Sequence, residues 1–302
     1  MPKVGVVYLT SKGDGMTLQD VLKSGAWIKF EFMDGEFEGR KFPRAAMVVK
    51  ALDKRSGMRL KLQVDTGMPT NVLHDNVVPP CLGIEPVPDA FPLTLEFDGN
   101  FSTEAEFAST SRYLPSDTAD GRGDSDGTVG MSLFGGHGFA IDYPAERLYL
   151  LSEAQLDAIA AGFSERFAPY ISRIKSYSVI LLPVVIDGHA LRAFFDTGGG
   201  MLDLVVDRGI WAQLTGVPTD APTNDIFQVP AWGKRLDIVA APVQCDICVP
   251  GGDCLPISMA HTLPAGGLTY ATIGNKPFLD SIVVVNFRDQ LFGRFPGGTL
   301  PG

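Results

Sequence analysis

LQVDTGMPTNVL, residues 62–73, runs an apolar strand straight into an acid, Asp65, followed by a small hydroxyl residue and a glycine. An unpaired carboxylate taken out of water costs several kcal/mol or becomes protonated, so an acid here needs a partner, a hydrogen-bond network or a chemical task. The same arrangement returns 131 residues later in LRAFFDTGGGMLDLVV, residues 191–206, with Asp196, Thr197 and Gly198 in the places of Asp65, Thr66 and Gly67. Repetition at a fixed offset points to an internal duplication.

The segments flanking the two acids repeat as well. Before each lies a hairpin, turning at Lys54–Gly57 in the first copy and at Asp187-Gly188 in the second, where Asp-Gly between apolar runs is a strong turn signal. After each comes a further hairpin, tipped at Asp98-Gly99-Asn100 and near Trp232-Gly233-Lys234; the tip glycines lie 34 and 37 residues beyond Asp65 and Asp196. Each copy closes on a hydrophobic-Gly step and a strand pair. Aligned on Gly130 and Gly274, Phe134 matches Phe278, Ile141 matches Val285, Asp142 matches Asn286 and Tyr143 matches Phe287.

Composition fits this pattern. The chain has 302 residues, 45% of them hydrophobic, with 34 Gly and 22 Pro, and short Val/Ile/Leu/Phe runs between turn signals favour a mainly β protein with room for two cores. A net charge of −10 without clustered Lys and Arg argues against nucleic-acid binding. No apolar run reaches bilayer-spanning length, so no membrane partner is expected. The expectation is a cytoplasmic monomer, or a periplasmic or secreted one if a leader has been removed. Ser152 to about Ile174 shows a capping box, Ser152 with Gln155, and helical spacing broken at Pro169, and reads as the connection between the halves. The units are therefore residues 1–151, a helical connection 152–178, and 179–302. GAWIKFEF, residues 25–32, is expected to add a strand between the halves or to cover the cleft.

Cys245, Cys248 and Cys254 crowd into one loop. A disulfide, free thiols, or a metal site with His261 all fit these residue types, but the spacing C-x2-C-x5-C-x6-H matches no zinc module closely, so loop thiols or one disulfide is the expectation. No metal and no cofactor is expected. The acidic, glycine-rich loop Ser116 to Gly127 reads as a solvated loop. His74, His137, His189 and His261 form no HExxH pair and no GxSxG elbow occurs, which removes the common metallopeptidase and serine-hydrolase readings.

VDTG at 64–67, FDTG at 195–198 and the paired closures at Val129-Gly130 and IGNKPFL (273–279) together resemble aspartic peptidases of the pepsin and retropepsin kind, over most of residues 45–151 and 179–296. The 65 residues from Asp65 to Gly130 are closer to a compact retropepsin subunit than to a pepsin lobe. The resemblance implies a bilobal pepsin-like β fold built from two retropepsin-like lobes. It also implies an endopeptidase acting on extended peptide or protein substrates, with Asp65 and Asp196 catalytic and Thr66, Gly67, Thr197 and Gly198 supporting them. The tips at Gly99 and Gly233 would be flaps, with Phe97, Phe101 and Trp232 as flap or pocket residues, although Phe97 and Phe101 equally suit packing beneath their own hairpin. Met68 and Gly199 stand where many relatives carry a hydroxyl or small residue. A lost donor to the charged carboxylate should raise the acids' pKa and move activity toward neutral pH. The alternative is a catalytically silent peptide-binding protein that retains the fold.

Overall fold

The structure, a computed structural model, describes residues 17–83, 88–110, 125–134, 137–163, 167–174, 177–186, 189–200, 202–221, 226–231, 234–244, 246–248, 254–264 and 270–297. It is mainly β. In the N-terminal half a short helix, α1 (Leu18–Lys23), precedes strands β1 (Ala26–Phe37), β2 (Arg40–Asp53), β3 (Arg59–Val64) and β4 (Asn71–Leu73). Helix α2 (Val78–Leu82), β5 (Ala90–Phe97), β6 (Ser102–Ser109), β7 (Gly127–Val129), β8 (Gly138–Asp142) and β9 (Arg147–Leu150) follow. Among the described residues no helix is long and apolar enough to cross a membrane.

Helix α3 (Glu153–Phe163) leads to the C-terminal half: β10 (Phe167–Pro169), β11 (Ile171–Ile174), β12 (Tyr177–Ile186), β13 (His189–Phe195), β14 (Leu204–Val205) and helix α4 (Arg208–Thr215). The chain continues through β15 (Ile226–Ala231), β16 (Lys234–Pro242), β17 (Ile247–Cys248), β18 (Cys254–Leu255), β19 (Met259–Thr262), β20 (Ala271–Ile273), β21 (Ser281–Asn286) and β22 (Leu291–Pro296).

Helix α3 begins as its capping box requires, with Ser152 N–H donating to Gln155 Oε1 at 3.0 Å, but it is shorter than the sequence suggested. Residues 167–169 pair with β22 and residues 171–174 with β12. Pro169 cannot donate within a helix, and it sits instead in the strand that ends its sheet, where the missing N–H costs least. Gln155 Nε2 donates to Val21 O at 2.9 Å, fastening α3 to α1 over an apolar layer that includes Ala140, Tyr149, Ile282 and Val284.

In each half the strand entering the acid lies at the centre of its sheet. β3 pairs in parallel with β7, Val64 opposite Val129, and β13 pairs in parallel with β20, Phe195 opposite Ile273. Leu60, Leu62 and Val64 point into the core from alternate positions of β3, the period-two burial that fixes its register. The halves are then zipped by β8 and β21. Under the Gly130–Gly274 match Ala140 corresponds to Val284, and these two residues are direct cross-strand partners, flanked symmetrically by Asp142–Ile282 and Gly138–Asn286. The local two-fold axis of the duplication therefore passes through the Ala140–Val284 pair.

The hairpins after the acids do not match one another as the sequence offsets suggested. β6 lies parallel to β4, and the strand in that position beside β14 is β19, not β15 or β16. Ala90 lies opposite Ala108 as Ala240 lies opposite His261, so β5 corresponds to the end of β16 and, further on, to β17, which pairs with β12 as β5 pairs with β2. β15 and the part of β16 before Ala240 have no counterpart among the described residues of the N-terminal half. In the cysteine-rich loop, Cys248 and Cys254 face each other across β17 and β18 and form a disulfide, while Cys245 lies outside the described residues.

Candidate active site

The ends of β3 and β13 carry Asp65 and Asp196 into tight turns that face each other. Each acid is held by the backbone just beyond it: Gly67 N–H donates to Asp65 Oδ1 at 2.7 Å, while Gly198 and Gly199 N–H donate to Asp196 Oδ1 at 2.9 and 3.3 Å. The two carboxyl groups hydrogen-bond to one another. No larger residue fits beside them. A methyl at Gly67 would stand 2.8 Å from carboxylate oxygens of both acids, and one at Gly198 would collide with the Asp65 carboxyl.

Thr66 and Thr197 fix the separation. Thr66 N–H donates to Thr197 Oγ1 at 2.9 Å and Thr197 N–H to Thr66 Oγ1 at 3.1 Å. Each hydroxyl then donates across to the opposite strand, Thr66 Oγ1 to Phe195 O at 2.7 Å and Thr197 Oγ1 to Val64 O at 2.9 Å. Both threonines are fully buried, so all four bonds form away from water.

The acids are partly accessible to water, yet enclosed by protein on most sides. Burial and the neighbouring Asp196 charge raise the Asp65 carboxyl well above the usual carboxylate range. Burial also raises Asp196, opposed by the hydrogen bond from Asp65 and by the Gly198 and Gly199 amides. Both carboxyls are thus raised, and the pair holds one proton between two acids that cannot both ionise cheaply. Met68 and Gly199 offer no hydroxyl, but their amides act as donors in its place, each opposing the rise of its own acid.

Behind Thr197 lies a pair that sequence reasoning missed. Asn275 Nδ2 donates to Thr197 O at 2.9 Å, and Tyr143 Oη donates to Asn275 Oδ1 at 2.7 Å, all of it buried. The only signal was a polar residue, Asn275, directly after a hydrophobic-Gly step whose first copy carries Met131.

Of the expected flap residues, those of the Gly99 hairpin lie away from the acids, against their own half. The Gly99 tip is fastened to β1 of its own half: Lys29 N–H donates to Asp98 O at 2.6 Å, Asn100 N–H to Trp27 O at 3.1 Å, and Trp27 N–H to Asn100 Oδ1 at 2.7 Å. Phe97 is in the core and stacks on Phe101 at 5.9 Å. Their place is thus structural, under their own hairpin. Trp232 and Gly233 lie outside the described residues, although β15 and β16 pair up to Ala231 and Lys234 on either side of them.

A different element reaches across. Past Ala46, β2 pairs with β1 alone, and this two-stranded ribbon runs to the C-terminal half. The Ala45 carbonyl packs on Gly200, four residues past Asp196. Phe42 meets Phe227 at 5.4 Å, Arg40 lies over the same ring at 5.2 Å, and Glu38 Oε2 accepts from Gln228 N–H at 3.3 Å. No group of three metal-ligating side chains converges among the described residues. Comparison with models of known protein families and with curated proteins gives no match.

Proposed function

We propose that this chain is an aspartic endopeptidase with a bilobal, pepsin-like fold, its two halves being retropepsin-like units that share one site. The observation that carries the reading is the carboxyl pair: two acids from equivalent turns, in hydrogen-bonding contact, raised by burial and by each other, and clamped by reciprocal threonine bonds.

Such a pair suits hydrolysis of an amide without a metal or a covalent intermediate. With Asp196 as the ionised member, that carboxylate takes a proton from a water as the water oxygen attacks the peptide carbonyl carbon, while Asp65–OH passes its proton to the carbonyl oxygen. The resulting tetrahedral diol collapses as the nitrogen accepts a proton, the C–N bond breaks, and one acid again holds the shared proton. The half-to-half ribbon at residues 38–45 supports the same reading, because a β-ribbon close to the Asp196 turn offers backbone groups for an extended peptide.

The test is cleavage of a diverse peptide mixture by wild type and Asp196→Asn between about pH 3 and pH 8, read by mass spectrometry with and without pepstatin. Cuts that disappear in the variant support the reading. Pure wild type that holds peptides and cuts nothing at any pH replaces it with a binding role.

A further inference from the structure

The halves differ at one set of equivalent places, and the difference leaves a cavity. Strand pairing sets the equivalence: Val72 lies across from Thr128 and beside Ala108, as Val205 lies across from Thr272 and beside His261. Thr70 therefore corresponds to Asp203, Ala105 to Ser258 and Glu106 to Met259. The Gly130–Gly274 match makes Ser132 the counterpart of Lys276.

In the C-terminal half the chain fills this place itself. Lys276 Nζ stands 2.6 Å from Asp203 Oδ1. Asp203, 1% exposed, also accepts from the Ser258 amide and hydroxyl at 3.1 and 3.0 Å and from the Met259 amide at 3.2 Å. In the N-terminal half the shorter Thr70 and Ser132 leave a cavity of about 220 Å³, walled by Ala105 and Leu133, with the exposed Glu104 and Glu106 at its rim.

The cavity is several times the roughly 30 Å³ share of a water molecule, so it has room for a side chain. Its frame is fixed, because buried Asn71 spends its amide on Gly130 N–H and Glu106 O, both at 3.0 Å. The lining is mixed, Ala105 and Leu133 among Thr70, Asn71, Thr103 and Ser132 with two glutamates, which suits an amphipathic cation whose methylenes meet the apolar part while its charge meets the carboxylates. The other half shows the chemistry that fits the equivalent space: a lysine ammonium against a carboxylate. The cavity starts at Thr70, five residues beyond Asp65, beside the segment leaving the catalytic turn.

We propose that this cavity takes a lysine or arginine side chain of the peptide substrate, so that the protein selects basic peptides. The proposal rests on the endopeptidase reading for the word substrate, but not for the binding itself. The net charge of −10 favours encounter with such peptides at low salt.

The experiment uses a positional peptide library in which each position in turn carries lysine, norleucine or glutamate. Binding is measured to Asp65→Asn and cleavage by wild type. At one position lysine is expected to exceed norleucine by about tenfold, a ratio that falls with added salt. In Glu104→Gln/Glu106→Gln the ratio should drop to within about twofold, with thermal unfolding checking the fold. Ser132→Lys should abolish the ratio too, by supplying the ammonium from the chain. No lysine preference at any position, or a preference that survives both variants, overturns the proposal. If wild type cuts peptides without basic preference, this inference falls and the endopeptidase reading stands. If Asp65→Asn binds basic peptides through the two glutamates and wild type cuts nothing, the cavity stands and the endopeptidase reading falls.

Discussion

Thr66 and Thr197 accept each other's backbone amide and donate their hydroxyls to Phe195 O and Val64 O, so two side chains close a four-bond ring across the junction of the halves. Thr66→Val keeps the shape and removes the hydroxyl, leaving Thr197 N–H and Phe195 O unpaired in a buried place. The expected loss is about 2–4 kcal/mol in urea unfolding. Adding Thr197→Val should cost less than a second full increment, because the four bonds form one network.

Asp65→Asn should abolish cleavage and also change how stability depends on pH. A carboxyl raised in the folded state contributes stability that is fully present below the ordinary carboxylate range and lost as pH rises through the raised value. Wild type should therefore lose stability between acid and neutral pH on account of the pair. Asn at position 65 carries no such titration, so its melting temperature should exceed that of wild type by a few degrees at neutral pH and converge with it in acid. Paired melting curves across pH check this; a parallel offset at every pH would mean that the pair does not titrate as the geometry implies.

Asn275 links Thr197 O to the Tyr143 hydroxyl, so it should act on the acids through the Thr197 turn. Asn275→Ala strands both groups and should cost about 1–3 kcal/mol, whereas Tyr143→Phe, which leaves only Asn275 Oδ1 without its donor, should cost less. Denaturant unfolding of the two variants and of their double mutant separates the contributions.

What was legible in the sequence was local. The Asp-Thr-Gly turns, the hairpin at Lys54–Gly57 and the period-two runs follow from neighbours a few residues apart, and the strands β2, β3, β12 and β13 lie where those signals put them. What escaped was set by distant pairing. Tip offsets of 34 and 37 residues suggested one repeated flap, but the parallel partners of β4 and β14 show that β5 corresponds to the end of β16 and to β17. Residues 167–174 carry apolar spacing that suits helix or strand, and pairing with β22 and β12 decided it. Three crowded cysteines gave no pairing until Cys248 and Cys254 met across two strands. The Lys276–Asp203 contact and the cavity at Ser132 were likewise set by strand pairing within each half, β14 with β20 and β4 with β7.

The β1–β2 ribbon should open more readily than the buried threonine contact between the halves, because its outer end is held through its own exposed or half-buried side chains, among them Phe42 against the Phe227 ring, Arg40 over the same ring and Glu38 accepting from Gln228 N–H. Phe42→Ala removes the ring on which the apolar part of that contact depends and leaves Arg40 over Phe227. A loss of about 1–2 kcal/mol is expected, with faster hydrogen exchange at residues 33–44 and little change at β3 or β13. Glu38→Gln keeps an acceptor for Gln228 N–H in an exposed place and should stay within about 0.5 kcal/mol of wild type. If exchange at residues 33–44 is as slow as in the core strands and unaffected by Phe42→Ala, the ribbon is a fixed wall of the site. Fast exchange that quickens further in the variant makes it a strap that must lift before an extended peptide can reach Asp65 and Asp196.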